Sequence, residues 1–220
     1  SFVFVQPKYL KQLMSLGGQF FIIQISCLII FMTSNIIISQ LFGPEQVTPY
    51  NIAFKYFSVM NIGFTIVLSP LWSAVTEAYT MKDMDWIRDI VKKTILIWGL
   101  FVILTVVMLI LSATVYRLWV GDNVSIPIGL SIVCGVYVTI SNWNNIFAYM
   151  LNGLGKIRLQ LYCSIVAGIL FFPLAYYLGH KIGTAGVMVA MCCCLFIASV
   201  YAPIQFWKII SNRATGIWIK

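Results

Sequence analysis

The residues able to do chemistry in this chain are few, and one is a lysine in a costly place. Residues 50–72 read YNIAFKYFSVMNIGFTIVLSPLW, long and apolar enough to cross a bilayer, with Lys55 inside. A cation at membrane depth costs roughly 2.5–3.5 kcal/mol on insertion scales. Two readings stay open for it. Lys55 serves an anion- or proton-linked role in a polar cavity, or its long side chain reaches back to the headgroups. The positions around it form a pattern: Asn51, Lys55, Ser58, Ile62, Thr65, Ser69, Trp72 and Thr76 recur at steps of four and three, along one face of a helix. Most of them are polar, so the face is expected to turn toward other helices or a hydrated cavity. Small hydroxyls such as Ser58, Thr65 and Ser69 also suit close helix packing.

Other amides repeat the theme. Gln24 and Asn35 lie eleven residues apart, close to three turns, and point the same way. Asn142, Asn145 and Asn152, with Tyr149, follow helical spacing. Amides are costly in lipid unless paired, so these faces are also expected to turn inward. Gln24, Asn35, Asn51, Lys55, Ser58, Thr65, Ser69, Asn142 and Asn145 are thus the candidate cavity residues. A path for a polar solute and a tightly packed bundle would both show such stripes.

Catalytic and metal-binding patterns are not seen. The one histidine, His180, reads as a residue of a short outer loop. The six acids sit in connections or at span ends, and no HExxH, GxSxG or phosphate-loop pattern occurs. The six cysteines lie in apolar segments. The run Cys192-Cys193-Cys194 points three ways around a helix and cannot close one metal site. The expectation is a protein that is not an enzyme and holds no metal.

The elements that must position these residues are membrane helices. The chain of 220 residues is 61% hydrophobic and 9% charged, against about 45–50% and about 25% in soluble proteins. Six spans are predicted: 17–41, 49–75, 94–116, 126–151, 157–178 and 185–207. They make an all-α transmembrane bundle over 17–208, with a lead-in at 1–16 and a tail at 209–220. The first span stops at GPE, and Asn152-Gly153 suits a left-handed helix end. Pro70, Pro173 and Pro203 mark expected kinks. In the long second connection Asp85 is the expected cap of either a short surface helix or an extension of the third span. The start shows no signal peptide and reads like the middle of a longer protein.

The net charge of +8 would suggest nucleic acid in a soluble chain. Here it sets orientation instead. Lys8, Lys11, Lys82, Arg88, Lys92, Lys93, Lys156, Arg158, Lys208, Arg213 and Lys220 fall on one side, and only Arg117 and Lys181 on the other. Both termini are therefore expected in the cytoplasm, and no nucleic-acid partner is expected.

The run GGQFFIIQISCLIIFMTSNIIISQLFGPEQVTPYNIAFKYFSVM resembles the opening of the C-terminal lobe of polysaccharide and O-antigen flippases. SPLWSAVTEAY, DMDWIR and NGLGKIRLQ are similar to that family in the same order. These flippases belong to the MOP exporter superfamily, with the multidrug and toxin extruders as cousins. The resemblance implies one six-helix lobe of a two-lobed transporter in a bacterial cytoplasmic membrane. It implies translocation of a polyprenyl-diphosphate-linked oligosaccharide by alternating access, with Lys55 at a position where the family often has a basic residue. The implied partners are the lipid-linked glycan, membrane lipids, the N-terminal lobe and glycan-assembly proteins such as a polymerase. No cofactor is implied beyond a coupling H⁺ or Na⁺, and no buried carboxylate is visible here to carry one. A multidrug or metabolite antiporter is the alternative. A membrane-embedded polymerase or ligase fits less well, because the outer connections are short.

Overall fold

The computed structural model describes residues 7–121 and 124–219. They form six helices: α1 Pro7–Phe42, α2 Val47–Thr80, α3 Met84–Val120, α4 Ile128–Gly153, α5 Arg158–Ile182 and α6 Thr184–Ile210. Short 3₁₀ turns lie at Pro44–Gln46 and Gly216–Ile219. Each helix follows from a long run without interior helix breakers other than single prolines. Backbone donors and acceptors must be satisfied within the segment when lipid surrounds it. Five of the six are long and apolar enough to cross a membrane; α4, at 26 residues, is of similar length but less apolar. Its four asparagines, at 142, 144, 145 and 152, lower its hydropathy.

Several local readings are corrected. The second connection holds no separate surface helix; Met84–Val120 is one continuous helix. Its cap is Asp83, whose carboxylate accepts from the Trp86 amide at 3.0 Å, and Asp85 instead pairs with Arg88. Ile87, Val91 and Thr94 are buried on one side of it, so the first turns of α3 already pack on the bundle. His180 is not in a loop but in the last turn of α5, which runs to Ile182 before Gly183 starts α6. Asn152 and Gly153 are still helical; the left-handed residue is Gly155, at φ 68°. The lead-in is helical from Pro7 onward, and residues 1–6 lie outside the described residues.

Neighbours in space are only partly neighbours in sequence. α4 packs on α2, α3 and α6, α6 packs on α5, and α5 packs on α1. α1 and α2, joined by the turn at Gly43, share few contacts. Two apolar clusters fill the bundle. One holds Ile38, Tyr50, Phe57, Leu130 and Phe171; the other holds Phe64, Leu68, Ile146, Phe147 and Phe206.

A polar layer sits between them. Asn61 and Ser141 bond to each other at 3.1 and 3.3 Å, and Asn145 donates to Asn61 Oδ1 at 3.3 Å. On the other side of α4, Asn144 donates to Leu195 O at 3.0 Å and accepts from Ser199 Oγ at 2.9 Å. Trp98 and Trp143 donate to the carbonyls of Thr139 and Ser199. This layer fixes α2 and α6 in register on α4.

Close approach is sharpest where α5 meets α6. A Cβ on Gly186 would run into the Leu178 carbonyl, whereas one on Gly168 would meet nothing within 4 Å. Gly186→Ala is therefore expected to cost about 1–3 kcal/mol and to lower the thermal midpoint in detergent, while Gly168→Ala leaves the midpoint unchanged or raises it.

Candidate functional site

Two concavities gather polar side chains. The first is an open groove of about 510 Å³ near the Gly43 turn, lined by Phe31, Asn35, Val47, Thr48, Asn51, Ile52, Lys55 and Trp119. Its floor is an amide pair. Asn51 Nδ2 donates to Asn35 Oδ1 at 2.8 Å and to Val47 O at 3.0 Å. Asn35 Nδ2 donates to Phe31 O at 3.0 Å. Lys55 stands one turn beyond Asn51, exposed, and has no ion-pair partner among the described residues. Exposed Trp119, from the end of α3, closes the side.

The second is an inner cavity of about 380 Å³ between α1, α4, α5 and α6, with Phe54 of α2. Its walls are mainly apolar. Ser26, Tyr137, Asn144, Asn145, Gln160 and Ser164 supply polar groups, and Gln160 Oε1 is buried without a hydrogen-bond partner. Phe31 lines both spaces, and its ring lies 5.3 Å from that of Phe54, which faces the inner cavity. Phe54 also stands 5.7 Å from Tyr137. An aromatic wall thus divides the groove from the cavity.

The structure therefore brings together only part of the expected set. Asn35, Asn51 and Lys55 share the groove, and Asn145 lines the inner cavity. Asn142 lies in neither: it is buried, with Oδ1 unpartnered. Gln24 is exposed on α1, outside both concavities. Ser58 and Ser69 donate to carbonyls of their own helix, at Lys55 and Ile66. Most of the polar stripe of α2 stays at the surface of this bundle, although Asn51 bonds to Asn35 of α1 and Thr76 donates to Gly153 O of α4 at 2.9 Å. Tyr50, Ala53, Phe57, Phe64, Leu68 and Val75 take the packed side, and Lys55, Ile62, Ser69, Trp72 and Thr76 are exposed. The physical reason is that the large apolar groups of α2 outcompete its hydroxyls for contact with α4. Trp119, Gln160, Tyr137 and the Asn61 layer were not anticipated. Trp119 carried a signal, an aromatic at the end of a span; the others sit on unremarkable helix positions.

The comparisons fall on this geometry. The crystal structure of a mutant MATE transporter superposes with a TM-score of 0.80 at 16% identity, over 95% of this chain and 48% of that one. This is the fold of one half of a MATE transporter. In sequence, the chain is 26% identical over 215 residues to a curated Yersinia pseudotuberculosis protein named for O-antigen export, covering 96% of this chain and 48% of the relative. It is 20% identical over 174 residues to a Salmonella typhimurium protein named for O-antigen transport, covering 78% and 40%. A Salmonella typhi protein named likewise is 22% identical over 180 residues, covering 81% and 42%. No family model matches the chain. The likeness to O-antigen flippases seen in the motifs stands, and the chain spans about half the length of the curated relatives it matches. The protein is a multi-pass membrane protein.

The Asn35–Asn51 bond joins α1 to α2 where they otherwise meet little. In a double-mutant cycle with Asn35→Leu and Asn51→Leu, a coupling of about 0.6–2 kcal/mol in unfolding free energy is expected. Ser58→Ala, which loses only a bond within its own helix, is expected to be near neutral.

Proposed function

We propose that the chain is the C-terminal half of a flippase that carries a polyprenyl-diphosphate-linked oligosaccharide, an O-antigen or capsule-type repeat unit, across the bacterial cytoplasmic membrane. The observation that carries this reading is the groove: an unpaired lysine, two amides, a hydroxyl and an indole side by side. A cation answers a diphosphate or an acidic sugar, amides and a hydroxyl answer sugar hydroxyls, and a flat indole answers a sugar face. The names of the curated relatives point the same way. So does the outward polar stripe of α2, which would face the other half across a central path. Alternating access then moves the two halves about that path.

In this reading both ends of the chain lie in the cytoplasm, since its basic residues gather at one end of the bundle. Lys55 sits toward the opposite, outer end, where it meets substrate rather than merely reaching for headgroups. The protein is a transporter and not an enzyme. The coupling ion, H⁺ or Na⁺, is assigned to no residue of this chain, because among the described residues no carboxylate lines the groove or the inner cavity. Glycan-assembly proteins are its partners in the membrane.

A second reading has an observation of its own. The inner cavity is mainly apolar and aromatic, which suits a lipophilic small molecule, and the fold is shared with a MATE transporter. A multidrug or metabolite antiporter would be reported by altered drug susceptibility in the deletion strain with surface glycan intact.

The test is complementation of a strain deleted for the whole gene. The deletion is expected to leave undecorated lipid-linked repeat units on the inner leaflet. Lys55→Met should lower surface glycan about ten- to hundredfold, the worth of a hydrogen bond to a charged group. Lys55→Arg should retain most of it, and Trp119→Ala should be intermediate. Full export by both Lys55 variants would reduce Lys55 to a headgroup anchor and remove the basis of the assignment.

A further inference from the structure

The exposed apolar side of α6 ends on two cations that no acid neutralises among the described residues. Phe196, Ile197, Val200, Ile204 and Trp207 form an exposed row at helical spacing. From Phe196 to Trp207 a helix rises roughly 16 Å, about the hydrocarbon depth of one leaflet. The row runs into a groove of about 350 Å³ lined by Pro203, Ile204, Trp207, Lys208, Ser211 and Arg213.

The backbone builds this groove. Asn212 adopts φ 55° and turns the chain, so that the Arg213 amide donates to Lys208 O at 2.9 Å. Arg213 is thereby returned beside Lys208. Lys208 Nζ stands 4.0 Å from the centre of the Trp218 ring, which fixes the ammonium.

Two further features favour an anion. The last four carbonyls of α6 all have donors: Ser211, Arg213 and Asn212 amides serve Trp207, Lys208 and Ile209, and Arg88 Nη2 serves Ile210. The groups that carry the negative end of the helix dipole are already bonded. The nearby aspartates are engaged as well. Asp83 caps α3, Asp85 holds Arg88 at 2.8 Å and Asp89 holds Lys92 at 3.3 Å. Among the described residues no carboxylate pairs with Lys208 or Arg213.

We propose that this groove holds the headgroup of an anionic phospholipid whose acyl chain lies along the α6 row. The phosphate takes the Arg213 guanidinium, the Lys208 ammonium and the Ser211 hydroxyl, and Trp207 marks the interface. The site lies at the basic end of the bundle, away from the Lys55 groove, and does not rest on the proposed substrate.

The whole gene product, purified in neutral detergent, is titrated with phosphatidylglycerol and with phosphatidylcholine, and bound lipid is counted by native mass spectrometry. The wild type should prefer phosphatidylglycerol. Lys208→Gln with Arg213→Gln should weaken that lipid about twenty- to thirtyfold, at roughly fivefold per cation, and leave phosphatidylcholine unchanged. Arg213→Gln alone, on an exposed turn, should lose about fivefold and serves if the double variant does not fold. Lys92→Gln with Lys93→Gln, the same charge removed at the same end, should retain the preference. The proposal is overturned if that control weakens binding as much, if the Lys208/Arg213 variants keep full preference, or if glycerol phosphate competes as well as the lipid does.

Discussion

An amide in hydrocarbon must find a protein partner, and this constraint organises α4 and what packs on it. A side-chain amide left unpaired in an apolar medium costs several kcal/mol. α4 carries three asparagines within Asn142–Asn145 and resolves two of them sideways: Asn145 through Asn61 to α2, and Asn144 through Ser199 to α6. Those bonds set the register in which Phe57 and Phe64, above and below Asn61, enter the two apolar clusters. The helix with the weakest membrane-crossing composition is therefore the one on which α2, α3 and α6 all pack.

Once α2 and α6 are committed to α4, α1 is left to pack on α5, and the first two helices share few contacts. The inner cavity lies between α1 and α4–α6, and the Asn35–Asn51 bond and the Phe31–Phe54 contact hold its edge. Farther along, Phe20 meets Trp72, which in turn meets Tyr149. Most of the polar stripe of α2 is left on the outside of this bundle. A row of serines, threonines and a lysine facing lipid alone is costly; in the proposed whole transporter it would face the second half across a hydrated path.

Much of the fold was legible in the sequence because its causes are local. Helix number and order follow from apolar runs separated by GPE, by the charged connection over 76–93, and by RLWVGDN, NGLG and GHKIG, and the basic residues mark one end of the bundle. The pairing of helices was not legible, since Asn61 and Ser141 are eighty residues apart and each looks ordinary alone. Periodicity placed the α2 stripe on one face but said nothing of what that face meets; size decided it, because Phe57 and Phe64 on the adjoining face bury more area than Ser58 or Thr65 can. At the site, Asn35, Asn51 and Lys55 were readable as polar residues out of place. Trp119 joins them only through the tertiary fold. Asn142 was readable as costly, but whether it lines a path or packs between helices depends on which side of α4 is covered.

The central claim is that this fold, in its whole protein, moves a lipid-linked oligosaccharide between leaflets. The most direct measurement is made in vesicles containing the purified whole gene product, loaded with a lipid-linked oligosaccharide bearing a quenchable label. Flipping is followed as the fraction of label that a membrane-impermeant quencher reaches over time. The account predicts a protein-dependent rise in that fraction, slowed by Lys55→Met. A fraction that stays at the level of protein-free vesicles, with the protein folded and an imposed H⁺ or Na⁺ gradient present, would contradict it.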